Sequence, residues 1–538
     1  MTYAQEQLKA INVNGYSSLV QMFEKVVAEK ADLAAYSCLG SELTFADIDQ
    51  LSGRVAAYLT ADCGLKKGDA IAVQLPNILQ YPVIAWGAMR AGIIIVNTNP
   101  LYTEREMLHQ FNDANVKALV VLADLYPKAE KVLHQTNIET VIVTSLMDLA
   151  KPESKTKSNL KSKLAPKFSN VIEFNDVLKK GSKLPFPAVD LSMDDVALLQ
   201  YTGGTTGVAK GAVLTQGTVF GALTITRDFF AEVAIEREVI IAPMPLYHIY
   251  GFTMSVVSVF LFGGISVLIP NARDAGSLVA AMKQYRATGL AGVNTLFQAM
   301  LEHPEFDDID FSQLTGTIAG GTTLIKEVAD EWKARTGADI YEGYGLSETC
   351  AAATCNIEGK RKLGTVGMAF NNMEVKLINS LGETVSGEES GELCMRGPHI
   401  MQGYWNRPEA TREAIDEDGW FKTGDVAVID SEGFIKIVDR IKDMVLVSGF
   451  NVYPTEIEGV VYGHPDVVEC AVVGVADSKT GEAVKLFVHS SNPSLTADDL
   501  IEFCRRELTA YKVPRQIEFL DELPKSPVGK ILRRELRV

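Results

Sequence analysis

The fold is constrained most by an alternation of β-branched and apolar, strand-length runs with helical patterns through the first four hundred residues. Between two of these runs, Thr103 and Glu106 have the spacing of a capping box and predict the start of a helix. Apolar strands that alternate with helices form parallel sheets covered by the helices, so the sequence predicts an α/β fold. The four clearest strand predictions are residues 70–75, 92–97, 118–122 and 140–144.

An uncharged stretch from residue 240 to 272 raises the question of a membrane span. A spanning helix needs about 20 predominantly apolar residues. Here Gly263 and Gly264 divide the apolar part into a helix-length piece and a β-branched, strand-length piece. We therefore predict a buried helix followed by a buried strand rather than a membrane span.

Beyond residue 370 the sequence changes to short strand patterns separated by glycine turns, which predicts a small antiparallel β-subdomain. The last part of the chain has strand, helix and strand signals and enough apolar residues for an α+β domain of its own. We predict an N-terminal domain over residues 1–439, with the β-subdomain at about 360–439, and a C-terminal domain over 440–538.

Composition excludes some functions. The 538 residues carry a net charge of −17, which argues against a nucleic-acid partner because a polyanion requires a basic face. The seven cysteines are scattered without metal-ligand spacing, which favours buried, reduced thiols in a cytoplasmic protein. The N-terminus lacks the pattern of a secretory signal.

The clearest chemical motif spans residues 201–211 and contains four glycines, three threonines and one lysine. Glycines allow backbone N–H groups to converge on an anion, and hydroxyl and ammonium groups add donors, so the motif predicts a phosphate site. It is not a Walker A loop, because Ala209 precedes Lys210 and Gly211 follows it, and apolar runs on both sides predict two flanking strands. The candidate phosphate ligands are Thr202, Gly203, Gly204, Thr205, Thr206, Gly207 and Lys210.

Four further motifs contain polar residues in glycine-rich turns, although each alone is a weak signal. Residues 341–349 place an aromatic ring between glycines, where it could stack on a purine, and Ser347 and Glu348 could then serve a phosphate and its Mg²⁺. Asp425 lies on a tight turn where its oxygens could accept both hydroxyls of a ribose. The segment 439–444 has more charge than a turn requires, and the segment 523–531 places Lys530 after a glycine.

The order of these motifs, together with 291–296 and 318–323, resembles the adenylate-forming superfamily of acyl-CoA synthetases, luciferase-type enzymes and peptide-synthetase adenylation domains. The resemblance covers essentially the whole chain. It implies a large N-terminal domain of two helix-covered, mostly parallel sheets with a small β-subdomain, and a mobile, smaller α+β C-terminal domain. Five segments are similar to the bacterial long-chain fatty-acid–CoA ligase branch: 76–81, 96–102, 292–297, 447–454 and 530–536.

The resemblance implies a reaction in which ATP, a fatty acid and CoA give acyl-CoA, AMP and pyrophosphate through an acyl adenylate. By the same resemblance, the glycine-threonine loop holds the β- and γ-phosphates, Ser347 contacts the α-phosphate, and Glu348 binds Mg²⁺. Asp425 and Arg440 bind the ribose, and Lys530 bridges the attacking carboxylate and the nucleotide. The adenine site comprises Gly343, Tyr344 and Gly345 on one side and Gly320 and Gly321 on the other.

The resemblance also implies that the C-terminal domain rotates between the two half-reactions about a hinge at Lys442, and that Gly449 shapes the pantetheine channel. It places His248 at the carboxylate site, although a lone histidine is more often structural. Phe252 falls at the position of an aromatic gate to the acyl tunnel. Val293 and Asn294 are the remaining candidates for acyl or CoA binding.

Three questions stay open at this stage. The acceptor or chain length could differ, as in a fatty-acyl, medium-chain or aryl adenylate ligase, and a non-catalytic nucleotide sensor is a rival of another class. The composition of the lysine-rich segment 151–167 indicates either a surface loop or a patch that contacts anionic lipid of the inner membrane. Homodimerisation is equally open.

Overall fold

The structure is a computed structural model that describes residues 15–150, 171–202, 208–230, 237–321, 324–385, 389–448, 450–526 and 530–537. The chain divides into two compact units. The first comprises Met1–Leu363, Phe370–Glu374 and Arg396–Phe421. The second comprises Gly364–Ala369, Val375–Met395 and Lys422–Val538.

The first unit contains two sheets. Its strands are β1 Ala34–Cys38, β2 Ser41–Thr44, β3 Ala70–Gln74, β4 Ile94–Asn97, β5 Val116–Leu122, β6 Thr140–Thr144, β7 Val171–Glu173, β8 Val196–Thr202, β9 Lys210–Thr215, β10 Val239–Ala242, β11 Ile265–Leu268, β12 Gly289–Gly292, β13 Gly316–Gly320, β14 Ile340–Tyr344 and β15 Thr354–Cys355. One sheet has the order β7-β6-β5-β3-β4-β8-β9, and strands of the other follow β15-β14-β13-β12-β10-β11-β1-β2.

Most neighbouring strands of these sheets are parallel. The antiparallel pairs are β1–β2, β8–β9 and β14–β15. The predicted α/β class with two mostly parallel sheets is therefore confirmed, and each of the four predicted strands is present as β3, β4, β5 or β6.

Helices connect the parallel strands. They are α1 Leu19–Lys30, α2 Phe45–Ala57, α3 Gln80–Arg90, α4 Glu104–Asp113, α5 Tyr126–Leu133, α6 Phe174–Gly181, α7 Gln216–Phe229, α8 Ile249–Gly251, α9 Val259–Leu261, α10 Ala275–Tyr285, α11 Asn294–Leu301, α12 Lys326–Thr336 and α13 Pro408–Ala414. Shorter turns are π-helical at Tyr58–Asp62 and Phe252–Ser258 and 3₁₀ at Phe306–Asp308 and Ser347–Thr349.

Local sequence explains these elements. Every residue of β3 is buried, as expected for an interior parallel strand. The predicted capping box starts α4: the Glu106 N–H donates to Thr103 Oγ1 at 3.3 Å, and the Thr103 N–H donates to Glu106 Oε2 at 2.8 Å.

The uncharged stretch forms a buried helical segment followed by β11, as predicted. Gly263 separates the two with a φ of 80°, a conformation that glycine adopts without strain. Among the residues that the structure describes, no helix is both long and apolar enough to cross a membrane.

In the part of the chain that the structure describes, the second unit has two smaller sheets and three helices. Its elements are β16 Met368–Ala369, β17 Glu374–Ile378, β18 Thr384–Val385, β19 Gly391–Arg396, β20 Phe421–Ile429, β21 Ile435–Arg440, β22 Val445–Val447, β23 Phe450–Val452, α14 Pro454–Tyr462, β24 Val467–Asp477, β25 Gly481–Ser490, α15 Ala497–Glu507, β26 Gln516–Phe519 and α16 Arg533–Leu536.

The two sheets of this unit have the orders β18-β17-β19-β20-β21 and β23-β22-β25-β24, and β26 pairs parallel to β25. The pairs β17–β18 and β20–β21 are antiparallel, as the glycine turns predicted. The α+β character of the C-terminal part is likewise confirmed. The boundary at residues 439 and 440 stays a prediction.

All seven cysteines are free thiols, and all but Cys63 are buried. The expectation of burial was wrong for Cys63, which lies just past the end of the π-helical turn Tyr58–Asp62 and is partly exposed.

Candidate active site

The glycine-threonine motif connects two antiparallel strands. Thr202 at the end of β8 pairs with Lys210 at the start of β9, and Tyr201 pairs with Gly211. The prediction of flanking strands is confirmed, and the hairpin brings both ends of the loop together. Residues 203–207, which include the candidates Gly203, Gly204, Thr205, Thr206 and Gly207, lie outside the described residues.

Side chains of α4 anchor both ends of this hairpin. His109 Nε2 lies 2.8 Å from the carbonyl oxygen of Ala209, and Tyr201 Oη donates to Asp113 Oδ2 at 2.8 Å. Arg407 donates to the other oxygen of Asp113 at 2.5 Å. Burial and then the Asp113 carboxylate raise the pKa of Tyr201, so its hydroxyl remains a donor. These contacts fix the positions at which the loop leaves and rejoins the sheet.

A second group of candidates lies at the C-terminal end of β14, where Gly343 pairs with Gly320 of β13. A Cβ added at Gly345 would lie 1.5 Å from the carbonyl oxygen of Ala351, so only glycine fits. The following 3₁₀ turn contains Ser347 and the buried Glu348. Ligands of α/β sheets bind at the carboxyl ends of parallel strands, and this group occupies such an end.

The chain after this turn is strained. Cys350 has a φ of 51° and Ala351 a φ of 98°, in the region that favours glycine. The Leu346 N–H donates to Thr349 Oγ1 at 2.8 Å, and the Ala351 N–H donates to the Leu346 carbonyl at 3.3 Å. Backbone strain held by such contacts is common at functional sites.

Gly320 and Gly321 lie where β13 ends. A Cβ on Gly320 would lie 3.4 Å from Tyr250 Cε1, and Gly321 has a φ of 85°. Tyr250 Oη is buried and has no hydrogen-bond partner among the described residues. Burial raises the pKa of Tyr250, so its hydroxyl stays protonated.

Lys210 and Glu348, far apart in sequence, are connected through Tyr404. The ammonium of Lys210 lies 4.4 Å from the centroid of the Tyr404 ring. The Tyr404 hydroxyl donates to Glu348 Oε1 at 2.8 Å. The predicted phosphate-binding lysine and the predicted metal-binding carboxylate are therefore neighbours.

The candidates for acyl or carboxylate binding have structural contacts of their own. His248 Nδ1 accepts the Tyr250 N–H at 3.3 Å, which caps α8, and Phe252 is fully buried. Val293 precedes α11, and Asn294 Oδ1 accepts the Ile325 N–H at 2.9 Å. Their roles toward a substrate stay predictions.

Within the second unit, the structure brings together three residues predicted to serve one nucleotide. Asp425 and Arg440 face each other in β20 and β21, and Arg440 Nε lies 3.1 Å from Asp425 Oδ1. The charges of both residues act on the ammonium of Lys530. Burial first, and then the positive charge of Arg440, lower the pKa of Lys530 to about 8, while Asp425 opposes that shift.

The predicted hinge residue Lys442 is exposed and lies between two buried carboxylates, Asp439 and Asp443. Arg533 contacts Asp443 at 3.5 Å and Glu458 at 2.5 Å. Further contacts of this network include Arg533 with Asp439 at 3.9 Å, Arg537 with Asp443 at 2.7 Å, and the Thr455 N–H with Asp439 at 2.7 Å. Gly449, the candidate for the pantetheine channel, lies outside the described residues.

Comparison with protein families gives two matches. Residues 23–405 match the model of the AMP-binding enzyme family, and residues 456–530 match the model of the AMP-binding enzyme C-terminal domain. The chain belongs to the AMP-binding enzyme family. Its predicted resemblance to the adenylate-forming superfamily is thereby confirmed.

Curated relatives of this AMP-binding enzyme match along nearly the whole chain. The long-chain-fatty-acid–CoA ligase of Escherichia coli O157:H7 is 46% identical over 98% of this chain and 95% of its own length. The long-chain-fatty-acid–CoA ligase of Bacillus subtilis strain 168 is 36% identical over 94% and 91%. Among solved structures, ATP-bound MatB from Rhodopseudomonas palustris superposes with a TM-score of 0.82 at 28% identity, covering 96% of this chain and 98% of that one.

Sequence reasoning missed several residues of this AMP-binding enzyme that hold the candidates in place. Tyr404, His109 and Asp113 carry no motif signal of their own, because their importance depends on contacts with residues 56 to 100 positions away. Arg533 could have been singled out, since it lies three residues after Lys530 in a basic segment.

Proposed function

We propose that this protein is an AMP-forming long-chain fatty-acid–CoA ligase. The observation that carries the proposal is the similarity of nearly the whole chain to long-chain-fatty-acid–CoA ligases. The Escherichia coli O157:H7 enzyme is 46% identical to this protein over 98% of the chain. The grouping of Asp425, Arg440 and Lys530 supports it, because a reaction at the α-phosphate requires cations beside the ribose and not only at the terminal phosphates.

The chemistry explains why ATP is needed. A carboxylate cannot exchange its oxygen for a thiol directly, because oxide is a very poor leaving group. Attack of the carboxylate oxygen on the α-phosphorus forms an acyl–phosphate bond and releases pyrophosphate. Both reactants are negative, so fixed positive charge is needed to offset their repulsion.

In this proposal Lys530 supplies positive charge where the carboxylate meets the α-phosphate, and Arg440 and Asp425 bind the ribose. The ion pair between Arg440 and Asp425 orients both groups before the nucleotide arrives. Because the pKa of Lys530 is about 8, its ammonium form predominates near neutral pH and is lost in mildly alkaline solution.

The first unit contributes a second set of contacts. We assign the glycine-threonine loop, from Thr202 to Lys210, to the β- and γ-phosphates. Ser347 is assigned to the α-phosphate. The adenine is assigned to Tyr344 with its neighbours Gly343 and Gly345, and to Gly320 and Gly321.

We propose that Glu348 binds Mg²⁺. Mg²⁺ is usually bound by one or two carboxylates together with substrate phosphates. The donor set fits this chemistry, because Glu348 is a buried carboxylate in the 3₁₀ turn that follows β14. When bound, the ion would neutralise phosphate charge.

In the second half-reaction the CoA thiol attacks the acyl carbonyl, the carbon–oxygen bond to AMP breaks, and AMP leaves with that oxygen. We propose that the C-terminal domain, residues 440–538, turns about Lys442 between the two steps and that Gly449 lies along the pantetheine path. For the acyl group, we assign His248 to the carboxylate, Phe252 to the tunnel entrance, and Val293 and Asn294 to acyl or CoA contacts.

Two partner predictions accompany this function. A long-chain acid partitions into membranes, which favours peripheral contact with the inner membrane, and residues 151–167, which lie outside the described residues, are the proposed contact. Sedimentation with anionic and neutral vesicles, before and after replacement of the six lysines in that segment, tests this contact. Homodimerisation is tested by the mass of the purified protein in solution.

A substrate panel tests the function. Acids from hexanoate to stearate, together with benzoate, are supplied with ATP, Mg²⁺ and CoA, and acyl-CoA, AMP and pyrophosphate are measured. Stoichiometric formation of all three with the long-chain acids is the expected result. Acyl-AMP formation without CoA consumption would instead identify a ligase for another acceptor, and a preference for hexanoate or benzoate would contradict the long-chain assignment. The absence of acid-dependent pyrophosphate exchange would indicate a nucleotide sensor.

A further inference from the structure

Tyr404 contacts two oppositely charged groups, the ammonium of Lys210 and the carboxylate of Glu348. In the proposed reaction these two groups bind different ligands. The Tyr404 ring lies 4.4 Å from the ammonium of Lys210, and its hydroxyl donates to Glu348 Oε1 at 2.8 Å. Because a carboxylate only accepts hydrogen bonds, the Tyr404 hydroxyl is the donor of this contact. One side chain therefore gives each charge a separate partner.

The backbone around Tyr404 is fixed. The Val213 N–H donates to the Gly403 carbonyl at 2.9 Å, and the Trp405 N–H donates to the Gly211 carbonyl at 2.8 Å, so this segment runs beside β9. The Tyr404 N–H donates to Thr411 Oγ1 at 2.9 Å. Gly403 has a φ of 143°, and a Cβ there would lie 2.6 Å from Thr411 Cγ2.

The same segment also holds the backbone of Glu348. The Met401 N–H donates to the Glu348 carbonyl at 2.9 Å. A single stretch, residues 401–405, therefore pairs with the strand that starts at Lys210 and with the turn that contains Glu348. The backbone of Tyr404 is therefore held by its contacts with β9 and with the turn that contains Glu348.

The physical consequence concerns the state before substrates bind. Without a side chain that contacts both, the opposite charges of Lys210 and Glu348 would attract each other, and a nucleotide and its metal would have to overcome that attraction. A cation over an aromatic face is attracted without being neutralised. A carboxylate that accepts one hydroxyl keeps its negative charge and its other oxygen, and its orientation is fixed.

We propose that Tyr404 is a positioning residue that keeps Lys210 and Glu348 apart and oriented, so that Lys210 takes a phosphate oxygen while Glu348 takes Mg²⁺. The inference rests on the proposed function for the identity of the two ligands. The inference goes beyond the proposed function because it states that Tyr404 determines how strongly Mg²⁺ increases the affinity for the nucleotide.

The test separates the hydroxyl from the ring. Tyr404→Phe keeps the ring under Lys210 and removes the donor to Glu348, whereas Tyr404→Leu removes both. Tyr126→Phe is the matched control, because Tyr126 Oη donates to Glu130 Oε1 at the same 2.8 Å within α5. Binding of α,β-methylene-ATP, which cannot form an adenylate, is measured by calorimetry with Mg²⁺ and with EDTA.

Tyr404→Phe is expected to raise the Mg²⁺ concentration needed for half-maximal enhancement of nucleotide binding by about tenfold, as for loss of a hydrogen bond to a charged group. Nucleotide affinity in EDTA should not change. Tyr404→Leu should weaken binding in both conditions, and Tyr126→Phe should match the wild type. Thermal unfolding of each variant checks that the fold persists, and Tyr404→Phe carries the test alone if Tyr404→Leu does not fold.

Equal Mg²⁺ dependence in Tyr404→Phe and wild type would overturn the inference, as would an equal loss of affinity with Mg²⁺ and with EDTA. The proposed function fails separately. If the wild type binds the nucleotide with Mg²⁺ dependence but forms no acyl-CoA, the function is wrong and the role of Tyr404 is unaffected. If the wild type forms acyl-CoA and Tyr404→Phe binds like it, only the inference is wrong.

Discussion

The two units differ in how the charged candidate residues contact one another. In the first, Tyr404 contacts both the Lys210 ammonium and the Glu348 carboxylate, and we propose that it keeps them apart. In the second, Arg440 pairs directly with Asp425, and Lys530 senses both. We interpret the contrast as two uses of proximity: separation keeps full charges available for ligands, whereas direct contact orients two groups and shifts the pKa of a third.

Replacing the two lysines tests this contrast most strongly. Lys530→Ala should reduce adenylation by about 10²–10³-fold, the typical effect of losing one electrostatic contact to a transition state. Thioester formation from supplied acyl-AMP should be largely preserved. Lys210→Ala should act mainly through a higher KM for ATP. Measured rates of both half-reactions decide the matter: equal losses of both half-reactions in Lys530→Ala would remove its assigned role.

The direct ion pairs of the second unit also make a prediction about stability. Burial raises the pKa of Glu458, and Arg533 lies 2.5 Å from it, so removing Arg533 leaves a buried charge uncompensated. Arg533→Met should cost about 3–5 kcal/mol, read from urea unfolding.

The matched control for that variant is Arg506→Met, which breaks an exposed pair with Glu502 at 2.9 Å on α15. An exposed pair contributes little, so its unfolding midpoint should not move. Similar midpoints for the two variants would show that the Arg533 network is not a buried structural element.

The pH dependence of adenylation sharpens the comparison further. The pKa of Lys530 is lowered to about 8, so the ammonium is present below that pH and is lost as the pH rises through it. The kcat/KM of adenylation should therefore fall above about pH 8. Arg440→Gln removes the neighbouring cation and should move that fall to higher pH, whereas Lys210→Ala should leave its position unchanged. An alkaline limb that stays in place in Arg440→Gln would contradict the coupling.

The smallest expected effect is at the proposed hinge. Lys442→Pro restricts the backbone at that residue, and should slow thioester formation more than adenylation. Lys442→Ala is the control, because it removes the side chain without restricting the backbone and should change neither step appreciably. Equal slowing of both steps by proline would argue against a hinge at this residue.

Much of the fold could be predicted because its signals are local. The buried strands β3 to β6 and the capping box of α4 depend on residues within a few positions of one another. The candidates at Lys210, Glu348, Asp425 and Lys530 came from short motifs in a characteristic order.

Tyr404 could not be found in the same way. In the sequence, strands β10 to β15 lie between Tyr404 and its partner Lys210. The two residues are in contact because residues 401–405 run beside β9. The lowered pKa of Lys530 likewise depends on Arg440, which no local pattern places next to it. Side-chain contacts between distant segments are the part of this site that sequence patterns do not contain.

The central claim is that a carboxylate oxygen attacks the α-phosphorus of ATP. One measurement tests it directly: a long-chain acid labelled with ¹⁸O in both carboxyl oxygens is converted with ATP and CoA, and the products are analysed by mass spectrometry. We expect one ¹⁸O atom in AMP and none in pyrophosphate. Unlabelled AMP, or label in a phosphate released from the other end of ATP, would contradict it.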